Sequence, residues 1–147
     1  MRRSTIETLY RLRKAERDLA QRDHMMANAF EAAATVAYNF STSIITDEAV
    51  YALKFGASMY GENNFLLWNK NKCDQVIELE RITRDARSEG QIVNARLAKA
   101  GIAFEVALSL RSTAAQALVK RQATETNRDL DELILSRRNG PEAAGSQ

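Results

Sequence analysis

The chain has 147 residues, of which 45% are hydrophobic and 27% charged, and its formal net charge is +2. This composition excludes an intrinsically disordered chain and a chain built mainly of membrane spans. A single cysteine, Cys73, excludes an intrachain disulfide and fits a reducing compartment, so we expect a cytoplasmic protein. We expect neither a transmembrane segment nor a secretory signal, because no stretch of eighteen apolar residues occurs and no apolar run follows the basic start of the chain.

The distribution of proline and glycine predicts long helices. Pro141 is the only proline, so no helix-breaking ring interrupts residues 1–140, and Gly140-Pro141 is a typical helix stop. Six glycines leave few places for the chain to turn. We therefore predict an all-α fold, a long two-helix antiparallel coiled-coil hairpin over residues 1–140, followed by a flexible tail over residues 141–147.

A seven-residue repeat of mainly apolar positions runs through the first arm and predicts the seam of a coiled coil. Its members are Leu12, Ala15, Leu19, Arg22, Met26, Ala29, Ala33, Val36 and Phe40. Residues 41–46 are β-branched or carry hydroxyl groups and interrupt this repeat, and we expect Thr46 or Asp47 as a new helix cap.

The strongest turn signal is Gly61–Asn64, which divides the chain into arms of about residues 4–60 and 65–139. We predict that the hairpin turns near residues 61–64 and that the C-terminal helix is the longer one. The second seam consists of Val76, Leu79, Thr83, Ala86, Gly90, Val93, Leu97, Ala100, Phe104 and Ala107.

The unequal arms predict a register and an overhang. Phe40 is expected opposite the region of Ala86, and Leu19 opposite the region of Phe104. The C-terminal helix would then extend past the first arm by about twenty residues, or about 30 Å. We give no preferred role to Gly90 and Gly101, which fit either helix bending or close helix approach.

The sequence contains few of the residues that usually carry out catalysis or bind metal ions. His24 is the only histidine and Cys73 the only cysteine, so we predict no enzyme, no cofactor and no metal. We expect His24 at a surface position beside Asp23. Asn71–Asp74 matches a guanine-reading string by chance, because it lies in a predicted helix.

Charge is unevenly distributed along the first arm. Residues 1–22 hold seven basic and three acidic side chains, whereas residues 23–62 hold one lysine and five acids. This pattern is consistent with a dipolar hairpin that a charged partner could orient. It is equally consistent with charged side chains that only keep the outer helix faces solvated. We predict no nucleic-acid partner, because interspersed acids dilute the basic run.

Two segments resemble a known family. Leu9–Arg22 resembles the opening of the FliJ family of flagellar export proteins and their injectisome counterparts. Val119–Arg138 is similar to the closing stretch of that family, with the basic pair Lys120-Arg121, a polar spacer and Asp131-Glu132-Leu133. The resemblance implies a stalk that binds the hexameric export ATPase of a type III secretion apparatus and links it to the membrane export gate. Export chaperones are a further partner that it allows.

The middle of the chain departs from that family. Residues 27–60 are rich in Ala, Ser and aromatic residues, where the family is usually rich in Glu and Gln. The resemblance implies a location at the cytoplasmic, inner face of the cell membrane. Alternative interpretations are a self-associating coiled-coil scaffold and a chaperone-like or membrane-surface protein resting on residues 32–45.

Two groups of residues are candidate contacts. The candidates for the ATPase contact are basic or apolar residues near the paired termini, namely Arg11, Arg13, Arg17, Lys120, Arg121, Leu130, Leu133 and Ile134. The candidates for the gate or chaperone contact are large side chains near the turn, namely Tyr51, Phe55, Met59, Phe65 and Trp68. The alternative for the first group is a frayed, solvated C-terminal end, and the alternative for the second group is a local core that closes the hairpin.

Overall fold

The protein consists of two long α-helices. The computed structural model describes residues 2–55 and 62–140, with side chains described at residues 2–52 and 65–140. Helix α1 (Arg3–Phe55) has 53 residues and helix α2 (Glu62–Asn139) has 78. The two helices pack against each other, and no strand occurs in the part of the chain that is described. The predicted all-α, two-helix hairpin with a longer C-terminal helix is confirmed.

The predicted turn at residues 61–64 is wrong for its last three residues, which belong to α2. Helix α2 begins at Glu62, so Asn63 and Asn64, which we predicted in the turn, are helical. Asparagine costs only about 0.7 kcal/mol in a helix relative to alanine, so a Glu-Asn-Asn run stops a helix weakly. Gly61, like the rest of residues 56–61, lies outside the described residues.

The new helix start predicted at Thr46 or Asp47 is wrong, because α1 continues through residues 41–46. The hydroxyl groups there bond to the helix itself. Thr42 Oγ1 donates to the carbonyl of Tyr38 at 2.8 Å, and Thr46 Oγ1 donates to that of Thr42 at 3.0 Å. These bonds satisfy the side chains inside a helix and remove the reason for a new cap at Thr46 or Asp47.

The chain divides into two compact units. The terminal unit comprises Met1–Lys14 and Ile102–Gln147, and the central unit comprises Ala15–Gly101. Ile6 and Ala107 are buried in the terminal unit, and Ala107 is only 1% exposed. The buried residues of the central unit are also small, namely Ala34, Thr83, Ala86 and Val93. No large side chain is fully buried among the described residues.

The predicted seam of α2 is confirmed, because each of its members is buried or half-buried. Gly90 lies close to α1, since a Cβ there would be 3.4 Å from Glu31 Oε2, at ordinary van der Waals distance. A Cβ on Gly101 would meet nothing within 4 Å. Close approach therefore describes Gly90 and not Gly101.

The predicted seam of α1 is wrong, because every one of its members is exposed. A second seven-residue repeat in α1 is buried or half-buried instead. This inner seam consists of Ile6, Tyr10, Arg13, Arg17, Ala20, His24, Ala27, Glu31, Ala34, Tyr38, Ser41, Ile45, Glu48 and Ala52. The facing seam of α2 carries mainly small residues. The inner seam of α1, which contains small and ion-pairing residues, therefore packs against it, and the bulkier residues of the predicted α1 seam face outward.

The predicted register is also wrong. Arg87 Nε lies 3.4 Å from Glu31 Oε1, so the neighbourhood of Ala86 faces Glu31. Phe40 follows Glu31 by nine residues, about 13 Å along the helix, and is 66% exposed. Phe104 contacts Tyr10, and Leu19 is exposed. The error follows from choosing the outer stripe of α1 as the seam.

Candidate interaction site

A cluster of polar and aromatic side chains marks the place where the two helices of the terminal unit stop packing. Arg111 Nε lies 3.0 Å from Glu7 Oε2, and its guanidinium carbon lies 4.3 Å above the ring centre of Tyr10. The Tyr10 ring is 5.6 Å from that of Phe104, centre to centre, in a tilted arrangement. A guanidinium held both by a carboxylate and by an aromatic face is well positioned. We name Glu7, Tyr10, Phe104 and Arg111 the root cluster.

Beyond the root cluster, α2 continues without a packing partner from residues 2–55 or 62–140. Every residue from Ala115 to Asn139 is exposed, which is about 37 Å of helix at 1.5 Å per residue. This free segment agrees with the predicted overhang. Local contacts support it, such as the Arg128 Nε to Glu132 Oε1 pair at 3.3 Å. Arg137 and Arg138 lie in the last turn, where their positive charges interact favourably with the negative end of the helix dipole.

The free segment carries an apolar face near its end. Leu130, Leu133 and Ile134 follow the i, i+3, i+4 spacing that places side chains on one side of a helix. They are 52%, 58% and 62% exposed, so most of their apolar surface contacts water. Leu135 is also exposed. Such a face is suited to insertion into an apolar groove or a ring of helices on another protein.

The predicted basic contacts divide between exposed and packed positions. Lys120 and Arg121 are exposed on the free segment. Arg11 is exposed and lies 3.7 Å from Glu7, measured from Nε to Oε1. Arg13 and Arg17 belong to the inner seam, and Arg17 Nη2 lies 2.9 Å from Asp18 Oδ1. The terminal unit therefore offers Lys120, Arg121 and Arg11 as solvent-facing cations.

The second predicted group is only partly described. The side chain of Phe55 and all of Met59 lie outside the described part of the chain. Phe65 and Trp68 are half-buried, with ring centres 6.1 Å apart in a stacked arrangement, and Tyr51 is at the edge of exposure. The stack fits the local-core interpretation. The adjacent Leu66 and Leu67 are 58% and 60% exposed.

Sequence reasoning missed the root cluster and misplaced His24. The apolar repeat of α2 ends at Ala107 and is lost at Arg111, one turn later, and this break was the available signal. His24 is half-buried on the inner seam. Its Nε2 lies 3.2 Å from Asn28 Nδ2, and its buried Nδ1 has no hydrogen-bond partner among the described residues.

By length and composition alone, the helix over Phe65–Asn139 could cross a membrane. An eighteen-residue window within it has a mean hydropathy of 1.2, and 6% of that window is buried. One such helix is a weak indication of a span, because helices of soluble proteins meet the same criterion. The chain matches no family model, no curated protein and no solved structure.

Proposed function

We propose that this chain is a non-enzymatic stalk of a bacterial flagellar or related type III protein export apparatus. Its free segment binds the hexameric export ATPase, and its other end faces the membrane export gate at the inner side of the cell membrane. The observation that carries the proposal is the exposed helix from Ala115 to Asn139, which ends in an apolar face. The resemblance of Leu9–Arg22 and Val119–Arg138 to the FliJ family also supports it.

The free segment has the physical properties that such a contact needs. Leu130, Leu133 and Ile134 leave apolar surface in water, and burying each in a partner would contribute roughly 1–3 kcal/mol. Lys120 and Arg121 provide positive charge on the same helix and would accelerate encounter with an acidic opening. The root cluster holds the start of the free segment against α1, so the segment enters a partner from a fixed base.

The gate contact falls at the opposite ends of the two helices, by the same proposal. Tyr51 and the exposed Leu66 and Leu67 offer aromatic and aliphatic surface on either side of the connection, and the half-buried stack of Phe65 and Trp68 supports this end of α2. Aromatic side chains dominate the energetics of many protein interfaces, which supports this placement.

The ATPase contact is tested by measuring the hydrolysis rate of the export ATPase from the same organism with and without this protein. We expect the full-length chain to stimulate hydrolysis, and a form truncated after Thr126 and Leu133→Asp to lose both binding and stimulation. Leu66→Asp is the matched control, because Leu66 and Leu133 are both 58% exposed on α2. If the truncated form and Leu133→Asp still bind and stimulate like the parent, the proposed contact is wrong.

A further inference from the structure

The outward side of α1 in the central unit carries a seven-residue repeat that nothing in the described chain covers. All its members are exposed. This outer seam consists of Leu19, Arg22, Met26, Ala29, Ala33, Val36, Phe40, Ser43, Asp47 and Val50. Met25 and Phe30 widen it on either side and are 71% and 59% exposed. A repeat of 3.5 residues is the pattern that packs against another helix.

The middle of the outer seam is free of charge. Between Asp23 and Asp47 the only charged residue is Glu31, which belongs to the inner seam and pairs with Arg87. The outward surface over this stretch is therefore apolar or neutral for more than 30 Å of helix, by the rise of about 1.5 Å per residue. Burying an uncharged surface of this length against an equally uncharged helix is more favourable than leaving it exposed to water.

The exposed apolar area is close to what a stable interface needs. Met25, Met26, Phe30, Val36 and Phe40 are each between 59% and 71% exposed. With full areas of about 200 Å² per side chain, they leave roughly 650 Å² of apolar surface in water. Specific interfaces bury about 800 Å² on each partner. The alanines of the outer seam add the remainder.

We propose that the outer seam is a two-fold symmetric, antiparallel interface with a second copy of this chain. The symmetry axis passes between Ala33 and Val36, so each Ala33 faces Val36 of the second copy. Phe40 then packs on Ala29, Met26 on Ser43, and Leu19 on Val50. A large side chain meets a small one at most levels, which lets two helices interdigitate.

The same register brings the two charged members of the outer seam together. Arg22 of one copy faces Asp47 of the other, and symmetry produces this pair twice. Neither side chain has an ion-pair partner within the described residues. A parallel arrangement would instead place Arg22 against Arg22 and Asp47 against Asp47, where like charges repel. Charge complementarity therefore selects the antiparallel arrangement.

The charge pattern also distinguishes a second copy from a lipid surface. Helices that lie on membranes usually flank their apolar side with Lys or Arg, which contact anionic headgroups. Residues 23–53 contain no Lys or Arg. The apolar surface of the outer seam therefore has no flanking Lys or Arg over these residues to contact lipid headgroups. A second copy of the chain, by contrast, offers complementary charges at Arg22 and Asp47.

The interface is tested by sedimentation velocity of the full-length chain over a concentration series. We expect a concentration-dependent dimer, and we expect Phe40→Asp to remain a monomer where the parent dimerises. Ile77→Asp is the matched control, because Ile77 is 64% exposed on α2 but lies outside the outer seam, and it should dimerise normally. Circular dichroism verifies that each variant keeps its helix content.

The antiparallel register is tested by exchanging charges. Arg22→Glu alone and Asp47→Arg alone should each weaken dimerisation about tenfold, because two pairs are replaced by two repulsions. The double variant Arg22→Glu/Asp47→Arg should restore the parent affinity. A double variant as weak as the single ones would overturn the antiparallel register.

Two other outcomes overturn the proposal as a whole. One is a parent chain that stays monomeric at every concentration. The other is Phe40-dependent sedimentation with vesicles of phosphatidylcholine and phosphatidylglycerol without a dimer in solution, which would assign the outer seam to a membrane. The proposal is independent of the ATPase contact, because Leu133→Asp should leave dimerisation unchanged.

Discussion

At the scale of single residues, His24 is a polar group in an incompletely satisfied position. Its Nε2 is within hydrogen-bond distance of Asn28, and its Nδ1 is buried without a hydrogen-bond partner in the part of the chain that the structure describes. A buried polar atom that lost its water without gaining a bond costs about 1–3 kcal/mol. The inner seam therefore carries a local cost at this position.

Replacing His24 by leucine should stabilise the protein by about 1 kcal/mol, because the unsatisfied nitrogen is removed and apolar surface is added. The measurement is urea unfolding followed by circular dichroism. Gln21→Leu is the control for an added leucine at an exposed position of the same helix. Equal stabilisation by both variants, or destabilisation by His24→Leu, would show that the imidazole has no such cost.

Arg81 illustrates how exposed residues stabilise α2 locally. It lies 2.5 Å from Glu78 Oε1 and 2.9 Å from Asp85 Oδ2, one helical turn in each direction. The hydrogen bond from Arg81 lowers the pKa of the Glu78 carboxyl below its ordinary value of 4.5. A lowered pKa means that this support is present above pH 4.5 and fades as the pH falls through the folded value. The group is fully exposed, so the effect on global stability is small.

At the scale of helices, the sequence predicted α2 better than α1. The end of α2 at Asn139, its seam and its free segment followed from helix-stopping residues, periodicity and the unequal lengths of the arms. Helix α1 contains two seven-residue repeats, and the more apolar one, through Leu19, Met26 and Phe40, faces away from α2. Periodicity shows which residues share a helix face, but it does not indicate which face packs against the other helix. A repeat containing Arg17, His24 and Glu31 has no apolar signal and becomes visible only through its packing.

The continuity of α1 through residues 41–46 was unpredictable for a related reason. Side-chain hydroxyls can end a helix or bond within it, and the residue types are the same in both cases. In this protein Thr42 and Thr46 bond to carbonyls four residues earlier, so their hydroxyl groups are satisfied within a continuous helix. The root cluster likewise depends on long-range pairing, because Glu7 and Arg111 are distant in sequence.

The start of α2 offers a test of local packing against partner docking. Trp68 is half-buried and stacks on Phe65. We expect Trp68→Ala to lower the free energy of unfolding by about 1–2 kcal/mol, since an aromatic contact and apolar burial are lost. Thermal unfolding of the isolated protein measures this change. Unchanged stability combined with weaker binding to the export gate would assign Trp68 to docking instead.

At the scale of the whole molecule, charge and apolar surface have separate roles in the proposed ATPase contact. Lys120→Gln/Arg121→Gln should slow association several-fold at low salt and make it less dependent on salt, with dissociation nearly unchanged. Stopped-flow binding to the export ATPase at several salt concentrations measures both rates. Lys70→Gln is the control, because Lys70 is an exposed cation of the central unit. An altered dissociation rate with unchanged association would contradict the steering role.

The small size of the buried residues has a thermodynamic consequence. The heat capacity of unfolding grows with the apolar area that unfolding exposes, and here the interior consists largely of Ala, Thr and Val, with bulkier residues already in water. We infer a heat-capacity change per residue well below the usual value of about 12–15 cal/mol/K. The free energy of unfolding then varies nearly linearly with temperature. Such a protein resists cold denaturation, because the curvature that returns the free energy of unfolding to zero at low temperature is small.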